Sequence, residues 1–211
     1  MRLAELWRYP VKSMAGERLQ RAWVSKAGVE GDRIVQVSDS TGRVLTARQY
    51  PRLLGLSATL DADGEPRVNG RPWEAAETAS AVRAATGVDA RLVRDESFDR
   101  FDVLPLLVAT DGAIAALGVD GRRLRPNLVI GDVAGLAERT WEGRMLRIGG
   151  VHIRLDSLRG RCVMTTFDPD TQVQDPDVLR RIARQFGGRM ALNAEVLTEG
   201  WLTVGDAVAL D

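Results

Sequence analysis

Over the first hundred residues, apolar positions alternate with polar ones in short runs bounded by turn clusters. LAELWRY, LQRAWV, RIVQVS, RVLTA and LLGLSATL therefore read as strands, separated by clusters such as DSTG and DADGEP. Asn69-Gly70, between PRV and RPW, is a tight hairpin signal. Short strands at this density favour a barrel or a sandwich over a βαβ sheet. One alanine-rich segment, from about Glu74 to Ala85, predicts a helix closed by Gly87 as a left-handed cap.

The pattern changes after the polar stretch RDESFDRFD. LPLLVAT reads as a buried strand and DGAIAALG as a short helix with Asp111 as its cap. A junction is expected between Asp95 and Asp102, dividing the chain into residues 1–100 and 101–211. Strands are expected again at PNLVI, RMLRIGG, VHIRL, CVMTT, NAEVL and WLTVGDAVAL. Between them DPDVLRRIARQFGG carries full helix signals: Asp175 at the N-cap, Pro176 at the first position, Gly187 and Gly188 at the stop. The fold class predicted is mainly β, of the α+β kind, with a few short helices.

Charge narrows the function. Lysine plus arginine equals aspartate plus glutamate at 29 each, so no global basic field exists for nucleic acid or anionic lipid, and any anion site is local. Only Lys12 and Lys26 are lysines, so single arginines carry little weight. The chain has one cysteine, Cys162, and one histidine, His152. That excludes an internal disulfide, a histidine-based triad and the usual zinc ligand sets. With no apolar run of membrane-spanning length and no apolar leader, the expected setting is the cytoplasm, away from membranes.

Five segments offer chemistry. Cys162 lies in RGRCVMTTFDPDT between a turn and a β-type run, with Arg159 and Arg161 before it. Cationic neighbours are the setting in which a cysteine acts as a thiolate ligand, although a small buried hydrophobe is the commoner fate of a lone cysteine. In YPVKS, Lys12 and Ser13 follow a proline that ends the ladder, which suits either a phosphate site or a solvated turn. Arg33 follows a Gly-Asp turn, and Arg48 and Arg52 flank another proline turn. In LRPNLVI, Arg125 and Asn127 are two residues apart on one side of an extended segment. They suit either recognition of a planar ligand such as a pterin or the tethering of a loop. Asp168 and Asp170 flank a proline and read as turn formers rather than ligands.

Taken in order, YPVKS, GDR, TARQYPRL, LRPNLVI, AERTWEGRMLRIG, RCVMTTFDPDT and VGDAVAL resemble the MOSC family preceded by its N-terminal β-barrel half. The resemblance is nearest the mitochondrial amidoxime-reducing component and its bacterial relatives. It implies a MOSC-type β-barrel with an N-terminal β-barrel-like subdomain, enclosing a molybdenum cofactor, Mo-molybdopterin. It also implies that Cys162 is the metal ligand and catalytic residue, that Lys12, Ser13 and Arg33 hold the phosphate end, and that Arg125 and Asn127 bind the pterin. Arg48 is added from charge alone. A soft sulfur ligand suits a redox metal already held by dithiolene sulfurs, which accounts for a metalloenzyme so poor in Cys and His. Pyridoxal phosphate is not expected.

The implied activity is a molybdenum-pterin oxidoreductase that reduces small N-hydroxylated compounds of the amidoxime or hydroxylamine type. Its electrons would come from a separate donor protein of ferredoxin, flavoprotein or cytochrome type. The alternatives are a non-catalytic sulfur carrier or cofactor-binding module, and a MOSC-fold protein without metal. Two departures from the family pattern stand out. Arg159 occupies the place where many relatives carry a second cysteine, and Val103-Leu104 replaces a Thr-Ser pair.

Overall fold

The computed structural model describes residues 1–211. Its main element is an eight-stranded sheet. In spatial order the strands are Val208–Leu210, Met145–Ile148, Val151–Gly160, Arg189–Thr198, Leu106–Thr110, Leu128–Gly131, Arg2–Arg8 and Glu17–Leu19. Leu106–Thr110 and Leu128–Gly131 run parallel, and the other neighbours are antiparallel. The parallel pair needs a crossover, and the helix Asp111–Leu117 forms part of it.

The two halves of the chain exchange strands. Arg2–Arg8 sits inside the main sheet, while Gly200–Thr203, near the other end, pairs with Arg21–Ser25. Pro10 ends the first strand's ladder. Beyond it Lys12 N donates to Val35 O at 2.8 Å, so the chain passes at once into the N-terminal half. That half is built from small sheets: Val35–Asp39 with Val44–Leu45 and Ala90–Arg94, and the meander Ala58–Leu60, Pro66–Val68, Arg71–Pro72. Asn69 and Gly70 both have positive φ, 50° and 77°, the conformation of a two-residue hairpin turn.

The mainly β class holds, but neither half closes into a barrel. The edge strands of the main sheet, Glu17–Leu19 and Val208–Leu210, do not pair with each other. The first strand is paired on both sides only from Leu6 onward, so just its start is free for the chain end. There Leu3 N donates to Asp206 O at 2.9 Å and Gly205 N to Leu3 O at 2.8 Å, a short join rather than a ladder.

Each half has its own core. Leu3, Leu6, Val108, Leu128, Ile130, Ile153 and Leu192 are buried in the main sheet. Val11, Met14, Val35, Leu45, Leu53 and Val82 are buried in the N-terminal half, and Met164 and Phe167 of the other half pack against them. The seam between these cores is where the candidate site lies.

The helices are α1 (Ala76–Thr86), α2 (Asp111–Leu117) and α3 (Pro176–Phe186). The caps expected at Gly87, Asp175 and Gly187 are present. The cap of α2 is Thr110 rather than Asp111: the Thr110 hydroxyl accepts from Ala113 N at 3.2 Å. Asp111 instead accepts from Asp132 N and Val133 N, 2.8 and 3.1 Å, and so ties down a neighbouring loop. Two expected strands are partly or wholly 3-10 turns. Pro51–Gly55 coils before the strand Ala58–Leu60, because Pro51 pre-sets a helical φ at the first turn position. CVMTT coils at Val163–Thr166, where the Thr165 and Thr166 hydroxyls donate back to Cys162 O and Val163 O at 2.8 and 2.7 Å. No helix is long and apolar enough to cross a membrane.

Candidate functional site

A cleft of about 850 Å³, open to solvent, runs along the seam. Cys162, Lys12, Ser13, Arg33, Arg48, Arg125 and Asn127 all line it, although they are spread over 150 positions of sequence from 12 to 162. Arg52, on the turn Pro51–Gly55, is exposed and does not.

Cys162 stands at the turn between the strand Val151–Gly160 and the coil Val163–Thr166, partly exposed and unpaired as a thiol. Its backbone is fixed by the coil, since its carbonyl accepts from both the backbone N and the hydroxyl of Thr165. No group of three His, Cys, Asp or Glu side chains clusters anywhere in the fold.

Lys12, Arg33, Arg48, Arg100, Arg123, Arg125, Arg159 and Arg161 bring eight cations to the lining, against the single carboxylate of Asp102. The zero net charge of the chain thus conceals a strongly positive cleft, which is a setting for a polyanion. Asp102 lies 3.3 Å from Lys12 Nζ, 2.9 Å from Arg48 and 3.0 Å from Arg159. Burial pushes its carboxyl upward, but those three cations outweigh it and hold the group below the ordinary carboxylate range.

The cations are set by backbone as much as by charge. Ser13, Arg33 and Arg125 all have positive φ, 72°, 56° and 56°, a conformation costly for any residue but glycine. Arg33 and Arg125 cover the Tyr9 ring, at 5.1 and 4.3 Å. Tyr9 donates to Pro126 O at 3.1 Å, and burial pushes its phenol up to about 12 against the pull of both arginines. Arg125 is therefore not on an extended segment as its spacing to Asn127 suggested: it caps the turn Gly121–Leu124 in the left-handed region. Burial lowers both Arg125 and Arg161 to about 10. They remain cations at neutral pH. Arg161 has its Nη2 on Leu124 O at 2.7 Å, but its Nε, like that of Arg123, is buried without any acceptor.

Asn127 lines the cleft and also tethers it. Its Oδ1 accepts from Leu107 N at 3.1 Å, holding two strands of the main sheet together. Ser13 is buried on the wall. Asp168 and Asp170 form a turn: Asp168 accepts from Thr171 N at 2.9 Å, and Asp170 pairs with Arg122 at 2.6 Å. His152 sits in its strand against the Thr198 hydroxyl at 3.1 Å.

The N-terminal residues 1–104 match the MOSC N-terminal beta barrel domain, and residues 108–209 match the MOSC domain. The chain belongs to the MOSC family. This MOSC protein is 28% identical over 229 residues to mitochondrial amidoxime-reducing component 1 of Homo sapiens, covering 81% of this chain and 67% of that protein. It is 28% identical over 231 residues to mitochondrial amidoxime reducing component 2 of Macaca fascicularis, covering 82% and 68%. It is 27% identical over 176 residues to the molybdenum cofactor sulfurase of Anopheles gambiae, 80% of this chain but 18% of that protein. Among solved structures, the YuaD protein from Bacillus subtilis has a TM-score of 0.54 at 11% identity, covering 99% of this chain and 94% of that one, a likeness of fold alone.

Five charged residues of the cleft were not among the sequence candidates for binding: Arg100, Asp102, Arg123, Arg159 and Arg161. Arg100 and Asp102 fall in the polar stretch read as a junction, and their charge density was the one signal available. Arg159, at the second-cysteine position, bonds to Asp102 and Asn193 and so belongs to the wall.

Proposed function

We propose that this MOSC protein is a molybdenum-cofactor-dependent oxidoreductase that reduces small N-hydroxylated compounds, with electrons from a separate donor protein. The observation that carries it is the meeting of Cys162 with eight cations and one carboxylate in one cleft of a chain similar to amidoxime-reducing components. The residues fit such a group. Arg123 Nε and Arg161 Nε are buried donors lacking acceptors, and the lining is soft sulfur plus cation, the donor set suited to a thiolate-held metal on an anionic carrier.

Lys12, Ser13 and Arg33 would hold the phosphate end, with Arg48 beside them. Arg125 and Asn127 would hold the pterin, and Cys162 would ligate the metal. Bound there, the cofactor supplies a two-electron centre, so that an amidoxime, two electrons and two protons give an amidine and water. The protein's part is position and charge. Asp102, held ionised, offsets Lys12, Arg48 and Arg159 and is not a proton donor at neutral pH. The Tyr9 phenol, raised to about 12, stays protonated, so Arg33 and Arg125 lie against a neutral ring.

A second reading, a module that carries the cofactor or its sulfur without reducing a substrate, draws on the partial exposure of Cys162 and the likeness to a molybdenum cofactor sulfurase. The two are separated by measuring the molybdenum-to-protein ratio and oxidised-pterin fluorescence in protein from a cofactor-competent host, then benzamidoxime reduction with an artificial donor. Metal with turnover supports the enzyme. Metal without turnover favours the cofactor-carrying module, and no metal overturns the enzyme.

A further inference from the structure

Glu138, on the turn Ala137–Thr140, is buried in the main-sheet half and is not part of the cleft wall. Its two carboxyl oxygens serve two donors. Oε2 accepts from the Thr110 hydroxyl at 2.8 Å, and Oε1 accepts from Ala191 N at 3.2 Å. Ala191 is the unusual partner. It is buried within the strand Arg189–Thr198 and has a φ of 62°, a left-handed conformation that is costly for a residue carrying a Cβ. A carboxyl out of water is costly too unless donors meet its oxygens. Two unfavourable features thus meet at one hydrogen bond, and strain of this kind persists only where the surroundings hold it in place.

The product of that strain is a bulge. Leu158 faces Leu192 and Gly160 faces Arg189, so the strand Arg189–Thr198 has one residue more than its partner over this stretch, and Ala191 lies in it. The strand Met145–Ile148 covers Val151–Gly160 only as far as Arg154, so from Leu158 to Gly160 the ladder partner is Arg189–Thr198 alone. Past the bulge Arg161 N donates to Gly188 O at 2.9 Å, and Cys162 is the next residue. The course of the chain into Cys162 is therefore set by where the bulge places Gly188 and Arg189. Bulges beside functional residues commonly re-aim a side chain.

We propose that Glu138 is a positioning residue for Cys162, acting by holding Ala191 in the left-handed conformation that makes the bulge. The backbone part of this stands by itself. Its consequence for cofactor loading rests on the reading of Cys162 as the metal ligand.

The test is amide hydrogen exchange at Arg161 N, followed by NMR on the protein as isolated. Ala58 N, bonded to Ala15 O at 2.9 Å in the other half, is the reference. Glu138→Leu keeps the site filled but gives Ala191 N no acceptor, and exchange at Arg161 N is expected to rise about tenfold or more relative to the reference. Glu138→Gln keeps an oxygen for Ala191 N and is expected to stay within about twofold of wild type. Adding Ala191→Gly to Glu138→Leu is expected to restore protection, because glycine takes a positive φ without a tether. If Glu138→Leu alone does not fold, this double variant decides the matter. Unchanged exchange in Glu138→Leu, exchange in Glu138→Gln as fast as in Glu138→Leu, or a double variant that is unfolded or still unprotected would each overturn the proposal. The molybdenum-to-protein ratio after expression in a cofactor-competent host is the second reading, expected to fall several-fold in Glu138→Leu and to recover in the double variant. Equal loading of wild type and Glu138→Leu would overturn the positioning role. Wild type without metal would sink the cofactor reading instead, and the exchange result would still judge the positioning.

Discussion

Asp102 Oδ1 lies 3.3 Å from Lys12 Nζ, so the turn that leaves the first strand is held across the cleft by the segment that joins the two halves. Arg48 and Arg159 close on the other carboxylate oxygen at 2.9 and 3.0 Å. One acid thus restrains three cations that otherwise face an anion together.

Asp102→Asn removes that restraint. The affinity of the protein for inorganic pyrophosphate, read by calorimetry, is expected to rise roughly three- to tenfold at low salt and to converge with wild type as salt screens the cleft. The folded carboxyl titrates below its ordinary value of 3.8, so its contribution to stability is present above that pH and lost as pH falls through the folded value. Wild type should therefore be the more stable protein at pH 7, and the difference from Asp102→Asn should vanish near the bottom of the acid range. An equal gap in melting temperature at pH 7 and at about pH 2 would count against this.

Cys162 is partly exposed and its fixed geometry comes from its carbonyl, not its sulfur. Cys162→Ala is expected to keep the melting temperature within a few degrees while bound molybdenum and benzamidoxime reduction fall to background. Full activity in that variant would remove Cys162 from the role assigned to it.

Glu138 is buried, accepting from the Thr110 hydroxyl at 2.8 Å and from Ala191 N at 3.2 Å. Burial raises its carboxyl, and the two hydrogen bonds only partly offset that. Here the sign is opposite to that of Asp102. A folded value above the ordinary 4.5 means that stability is fully present below that pH and declines as pH rises through the folded value. Glu138→Gln should flatten that decline in urea titrations run from about pH 4 to pH 8. Glu138→Ala should cost about 2–4 kcal/mol, since it leaves Thr110 and Ala191 N unpaired beside a void.

Gly112 lies in α2, where alanine is ordinarily the better helix former. A Cβ at Gly112 would stand 2.3 Å from Val133 O and 2.5 Å from Gly135 O, both backbone atoms. Gly112→Ala is therefore expected to destabilise by about 1–3 kcal/mol in chemical denaturation, and a neutral or stabilising result would refute the close approach. Gly87→Ala is a useful contrast. Nothing crowds that position, and its cost comes from a φ of 72° alone, about 1 kcal/mol.

The sequence by itself determined what depends on near neighbours. The Asn69-Gly70 hairpin, the caps at Asp175 and Gly187, the strand-rich mainly β class and the break after Pro10 are all local consequences of allowed φ and of donors at chain ends, and these are encoded within a few residues. Motif order also named the MOSC family. Tertiary structure alone decided the rest. That Arg125 turns inward on a left-handed φ depends on Tyr9, which lies 116 positions earlier. That Arg100 and Asp102, read as a polar junction, belong to the cleft depends on how two separate cores meet. The N-terminal half lends Arg2–Arg8 and Glu17–Leu19 to the main sheet and receives Gly200–Thr203, and such pairings over nearly the whole chain length leave no trace in local spacing.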